Sequence, residues 1–322
     1  MLKYVYALFI CISFSCFAIE VDDKVCSPKQ CYTVKKFLGS GSFGNVFQVK
    51  DSKNISYALK SSIMDYDGVD PFTKLLGDAK REYERGKMLN HANIIKPIEI
   101  FTIKSKKTKE TVNLILEFVN GHSLYDVEEN SVPHEKNRLA LHNFIDAVSH
   151  GLSLDLLHLD LHEDNVMLTK NHDIKVIDLA SFFTTQEIIK FKIARSFYER
   201  TFRSEQLHTN EIKIQKFFEK HSNLHEELFL IDQEMDDFFI PDNKMRSRAV
   251  ISQQQNKIYE SYFSDVADTC FNILQKSDLE EKKKNAISGK IELLDKEYSE
   301  LVKNKKIVNI SDYLNKLKKA IN

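Results

Sequence analysis

The sequence predicts an α+β chain of two lobes, a five-stranded small lobe followed by a mainly helical large lobe. Three observations carry this. Apolar residues alternate in 32–62, and 94–105 and 111–119 also read as strands. Between them, Leu75, Ala79, Tyr83 and Gly86 recur at helical spacing. From about residue 183 onward the pattern is helical and charged.

In chain order, Val34 and Phe37, then Val46 and Val49, then Tyr57 and Leu59 mark three strands, joined by the turns GSGSFG and DSKN. DPFTKLLGDAKREYERGKMLNHANI is the helix. IIKPIEIFTIKS and TVNLILEFV are strands four and five, joined by the Lys-rich hairpin KSKKTKE. NGHSL is a short hinge, and KNRLALHNFIDAVSHGLSLDLL is a long, largely apolar helix. HLDLHED is a loop, and NVMLTKNHDIKVIDLA is a hairpin turning at KNHD. The later pattern breaks at Ile240-Pro241-Asp242-Asn243, and the Lys- and Glu-rich stretch 279–306 reads as solvated helix faces. These elements divide into 32–120 as the small lobe and 121–322 as the large lobe, divergent after about 183.

The 322 residues are enough for a real core in each lobe. A net charge of −1 lacks the basic excess of a nucleic-acid binder, so no nucleic-acid partner is expected. With 9 Gly and 5 Pro there is little room for long disordered linkers. Residues 1–18 place Lys3 before a mostly apolar run from Val5, with small residues Cys16 and Ala18 spaced for cleavage after Ala18. That is the layout of a secretory signal peptide, and it is short for a bilayer span of about 20 apolar residues. The mature chain is then expected to be secreted, without stable membrane insertion, and to begin with an extension over 19–31. An uncleaved N-terminal membrane anchor is the alternative. Cys26 and Cys31 are close enough to pair in an oxidising compartment, whereas Cys270 reads as a buried small hydrophobe. Asn54-Ile-Ser56 and Asn309-Ile-Ser311 match the glycosylation acceptor pattern.

Four stretches carry chemistry. Gly39-Ser40-Gly41-Ser42-Phe43-Gly44, followed by Asn45 and Val46, lies between two strands rather than between a strand and a helix. That context fits a flap whose backbone N–H groups approach phosphate. In Ala58-Leu59-Lys60 a Lys sits among apolar neighbours, which is costly unless it meets a carboxylate or a ligand anion. Glu82, nine residues before His91, is the candidate carboxylate, with Glu84 as a rival. Asp160 and Asn165 crowd the loop before NVML, and Asp178 closes the apolar IKVI strand, where a carboxylate calls for a cation. Each stretch alone has an ordinary structural explanation, but their order and spacing together do not.

In that order the sequence resembles the protein kinase family over about 32–182, a family whose signature set is a well-established template. GSGSFGNV is similar to the glycine-rich loop, so Gly39, Ser40, Gly41, Ser42, Phe43, Gly44 and Val46 are implied to contact nucleotide. Ala58 and Lys60 match the strand Lys motif, and Glu82 matches the helix Glu. LEFVNGHSL resembles the hinge, with Leu116 as gatekeeper and Glu117 and Val119 beside the nucleotide. HLDLHEDN matches the catalytic loop, which implies Asp160 as base and Asn165 as metal ligand. DLA stands where DFG is usual, which implies Asp178 as the Mg²⁺ ligand.

The implied activity is ATP- and Mg²⁺-dependent phosphoryl transfer by an exported serine/threonine kinase, with action on host proteins as an extension of export. Departures keep other readings open. Leu159 replaces the usual Arg before the base, and His162 replaces the usual Lys after it. Asp-Leu-His is more typical of aminoglycoside- and choline-kinase-like enzymes, which would make the acceptor a small hydroxyl compound. Gly86 falls where a bulky residue is usual, and no Ala-Pro-Glu follows Asp178. Ser264-Asp265-Val266 resembles the start of the family's central large-lobe helix. A pseudokinase, or a kinase fold that transfers another group, is the third reading; the filled catalytic positions count against a non-enzymatic one.

Overall fold

The computed structural model describes residues 19–41, 44–63, 71–103, 111–185, 187, 248–304 and 309–322. The 1–18 stretch expected as a signal peptide, Ser42 and Phe43, the KSKKTKE stretch and the break at 240–243 lie outside the described residues. The chain divides into two units, Met1–Asp67 with Ile98–Phe118, and Gly68–Pro97 with Val119–Asn322. The helix that sequence assigned to the small lobe therefore clusters with the second unit.

The first unit is one antiparallel sheet. Its strands are β1 (Lys24–Cys26), β2 (Cys31–Gly41), β3 (Gly44–Lys50), β4 (Ser56–Ile63), β5 (Pro97–Ile103) and β6 (Thr111–Glu117), in the order β1-β2-β3-β4-β6-β5. The expected five strands are thus six, because the 19–31 extension is not a free leader. The Cys26–Cys31 disulfide closes a hairpin that pairs Lys24 with Thr33 and Val25 with Tyr32. Val25, Tyr32, Val34, Phe47, Val49, Leu59, Phe101 and Ile115 bury one face of the sheet. Phe37 lies on the same face as Val34, opposite Phe47 with ring centroids 5.5 Å apart, because a register shift between Val34 and Lys36 offsets the alternation of β2; its ring is half exposed.

In the second unit, α1 (Pro71–Met88) buries Glu82, Arg85 and Gly86. Of the expected apolar stripe, Gly86 is buried, Ala79 and Tyr83 are partly buried, and the Leu75 side chain lies outside the described residues; the buried Glu82 and Arg85 were not expected from the apolar pattern. Strand β7 (Gly121–Ser123), expected as plain hinge, joins the hairpin β9 (Val166–Thr169) and β10 (Ile174–Val176), whose turn holds His172 at positive φ. Helix α2 (His134–Ser153) buries Ala140, Leu141, Phe144, Ile145 and Val148, and leads into β8 (Leu156–His158), which pairs with β11 (Phe182–Thr184). Helices α3 (Arg248–Gln275), α4 (Glu281–Lys303) and α5 (Ile310–Ile321) complete the unit. Cys270 is fully buried, as its apolar character predicts. Asn309 serves as the N-cap of α5, accepting from Ser311 N at 3.0 Å. The solvated face expected of α4 has one exception. Lys284 is 1% exposed and donates to Asn130 Oδ1 and to the Gln275 carbonyl.

Candidate active site

In the first unit, the ladder puts Gly39 and Lys60 opposite Val46, and Ala58 opposite Leu116. Because side chains alternate along a strand, Val46, Ala58 and Lys60 share the face opposite the Phe47–Leu59–Ile115 core. Val46, Ala58 and Lys60 thus fall on one side of the sheet and its packing on the other. Gly44 has φ of 125°, and a Cβ there would lie 2.4 Å from the Ser61 carbonyl oxygen, so only glycine fits. Around Gly39 nothing lies within 4 Å of such a Cβ, so this glycine answers no crowding within the sheet. Glu117 ends β6 opposite Tyr57.

The second unit holds Glu82, Val119, Asp160, Asn165 and Asp178. The loop from β8 to β9 is shaped by hydrogen bonds to its own polar groups. Asn165 Nδ2 donates to the Asp160 carbonyl at 2.8 Å and to Asp160 Oδ2 at 3.1 Å. The Ile177 N–H donates to the Asn165 carbonyl at 2.9 Å, which brings Asp178 beside the loop. Asp178 sits at φ 59°, ψ 68°, a left-handed conformation that costs a non-glycine residue and recurs at functional positions. Its Oδ2 accepts from the Ser181 hydroxyl.

His158 clamps the two segments. Its Nε2 donates to the Ile177 carbonyl at 2.9 Å, and its Nδ1 accepts from the Asp160 N–H at 3.2 Å. Burial pushes its pKa down, which keeps the ring neutral. Beneath the loop, the Tyr262 hydroxyl bonds to the His158 backbone, and Asp265 is pushed up to about 6 by burial, with Asp268 and Asp160 adding to it. The Ser-Asp-Val stretch of α3 therefore lies close to the loop that carries Asp160. Lys276, from the end of α3, meets Glu163 at 3.3 Å.

Two departures from the family pattern find a physical account. Gly86 is bare because Leu179 fills the space: a Cβ at residue 86 would lie 2.4 Å from Leu179 Cδ1 and 2.6 Å from Pro97 Cδ. His162 puts Nε2 3.5 Å from Asp160 Oδ2 and 2.9 Å from Asn165 Nδ2. Sequence reasoning missed Arg85, Phe183, Thr184 and Glu187, which tie α1 to the segment after Asp178. The signal was present as Thr184-Thr185-Gln186-Glu187, a Ser/Thr-x-x-Glu capping pattern.

Comparison with known proteins agrees with this arrangement. A family described as "Protein kinase domain" matches residues 32–198, just over half of the 322 residues. CBL-interacting serine/threonine-protein kinase 9 of Arabidopsis thaliana is 30% identical over 159 residues, 48% of this chain and 34% of that protein. The probable serine/threonine-protein kinase KIN1 homolog of Enterocytozoon bieneusi is 30% identical over 165 residues, 49% of this chain and 26% of its own. The probable serine/threonine-protein kinase MARK-C of Dictyostelium discoideum is 30% identical over 172 residues, 52% and 21% of the two chains. The aligned stretch spans about a third of the first of these relatives and about a quarter or less of the other two. The chain belongs to the protein kinase family.

Proposed function

We propose that the protein is an ATP- and Mg²⁺-dependent serine/threonine protein kinase. The observation that carries this is the loop Asp160–Asn165 held against Asp178 by Asn165, Ile177 and a neutral His158. Asp160 accepts the proton of the acceptor hydroxyl. With its nitrogen engaged by Asp160, the Asn165 amide offers its oxygen, and Asp178 a carboxylate, to Mg²⁺. Among the described residues no group of three or more His, Cys, Asp or Glu is placed to hold a metal. Two oxygen ligands plus substrate phosphates are the usual setting for this cation. When bound, Mg²⁺ neutralises charge on the transferred phosphoryl group. Lys60, Val46, Ala58, Gly39, Ser40, Gly41, Gly44, Glu117 and Val119, with Ser42 and Phe43 outside the described residues, are the proposed nucleotide contacts, and Glu82 is the proposed carboxylate for Lys60.

His162 so close to Asp160 and Asn165 favours a second reading, a small-molecule kinase of the same fold. Labelled ATP and Mg²⁺ offered with casein, and separately with aminoglycosides and choline, separates the two. The first reading expects label on protein Ser or Thr. Asp160→Asn should cut turnover by about 10²–10⁴-fold with little change in ATP binding, the scale of a lost general base. Near-full turnover in that variant would remove Asp160 from the mechanism. Lys60→Ala and Asp178→Asn should each abolish transfer while leaving the thermal melt in place.

We propose further that the chain is exported and the 1–18 stretch removed. The Cys26–Cys31 disulfide supports this, since such bonds persist in oxidising compartments. Among the described residues no helix is long and apolar enough to cross a membrane. N-terminal sequencing of protein from the medium should read from Ile19; intact Met1 in a membrane fraction would favour the anchor.

A further inference from the structure

We propose that Arg85 and Glu187 form a built-in latch that positions α1, and with it Glu82, in the absence of any phosphorylated residue; this rests on reading the site as a phosphotransferase. Arg85 has a side chain only 8% exposed, and its Nη2 pairs with Glu187 Oε1. The Arg85 Nη1 has no hydrogen-bond partner. The guanidinium carbons of Arg81 and Arg85 each lie 5.2 Å from the centroid of the Phe183 ring. Both contacts join the buried side of α1 to the segment that follows Asp178. Glu82 precedes Arg85 by three residues, so it shares that face and is itself 4% exposed.

The other Glu187 oxygen closes a capping box. Oε2 accepts from the Thr184 N–H at 2.7 Å and the Thr184 hydroxyl at 3.0 Å, while the Glu187 N–H donates to Thr184 Oγ1 at 3.1 Å. One carboxylate therefore fixes the local turn and neutralises the buried guanidinium. The segment is tied down at two further points, by the β11–β8 ladder and by the Thr185 hydroxyl on Asp155 Oδ1 at 2.7 Å.

The common alternative is a segment ordered by phosphate. Here the Ser181, Thr184 and Thr185 hydroxyls already bond Asp178, Glu187 and Asp155. A phosphate on any of them adds about two negative charges beside a carboxylate, which opposes rather than creates order. Leu159, where an Arg would receive such a phosphate, offers no charge-assisted bond. Glu187 takes over that role.

The test uses the full chain and the substitutions Glu187→Gln and Glu187→Asp. Gln still accepts in a capping box, so it removes the ion pair and leaves the turn. Steady-state transfer to casein is measured with hydrogen exchange over α1 and 181–187. Glu187→Gln is expected to lower kcat by about 10- to 100-fold, the scale of an ångström misplacement, with a smaller change in KM for ATP. Exchange along α1 should quicken, Glu187→Asp should recover part of both, and phosphatase-treated wild type should keep its kcat. An unchanged kcat in Glu187→Gln, unaltered α1 exchange, or loss of wild-type activity on dephosphorylation would each overturn the latch. A wild type that transfers no phosphate refutes the kinase reading instead, and the exchange data still decide the latch.

Discussion

His158 can bridge Ile177 and Asp160 only as a neutral ring. Nε2–H donates to a carbonyl, so Nδ1 must keep its lone pair to accept the Asp160 N–H. A second proton would remove that acceptor inside the protein, a loss of about 1–3 kcal/mol. Burial lowers the pKa from the ordinary 6.5, and His91 is lowered as well, by burial and the neighbouring His150 ring. For an imidazole lowered in the fold, the unfolded chain binds protons first. The stabilisation is complete above about 6.5 and is lost as pH falls below it towards the lowered value. Asp265 acts oppositely: pushed up to about 6, it takes up a proton in the fold first and offsets part of the loss. Thermal melts should therefore fall as pH drops below about 6.5, and His158→Gln should flatten that slope while lowering the melt at neutral pH. An equal slope in the variant would place the titration elsewhere.

Helix α1 shows how far pattern reading reaches. Its existence followed from spacing, but its buried face did not, because Glu82 and Arg85 are buried, Arg85 against Glu187, and no hydrophobic periodicity reveals that. The same limit hid Lys284, a buried cation satisfied by Asn130 and a carbonyl in a stretch that reads as solvent-facing. In β2 a register shift, which no residue type marks, lets Val34 and Phe37 share a face although they are three residues apart. The cluster of Asp160 and Asn165 was legible because its residues are close in sequence; the contact of Arg85 with Glu187 was not, because they are 102 residues apart. Gly86→Ala tests the packing of the helix. Removing Gly gains about 1 kcal/mol of helix propensity. The new methyl meets the rigid Pro97 ring as well as the movable Leu179 methyl, and overpacking costs about 1–3 kcal/mol. A lower melting temperature is expected, and a raised one would mean that Pro97 yields.

The chain's two units draw on separate stretches of sequence, and Gly68–Pro97 crosses over to join the second. No local pattern predicts such a crossover, whereas five of the six strands of the first unit and the long helix over 134–153 were plain. The hairpin closed by Cys26 and Cys31 also has a consequence for the whole molecule. An outermost strand exposes unpaired N–H and C=O groups that can template another chain, and proteins limit this with very short terminal strands. Here the three residues of β1 pair with Cys31–Thr33 and so shield the first part of β2, which is eleven residues long and carries the exposed side chains of Phe37 and Leu38 further on. A six-residue covalent loop contributes only about 2 kcal/mol through chain entropy, so reduction should leave most molecules folded. It should instead loosen the shield. Light scattering after dithiothreitol treatment should report strand-to-strand self-association at temperatures where circular dichroism still reads native, and Cys26→Ser should do the same without reductant.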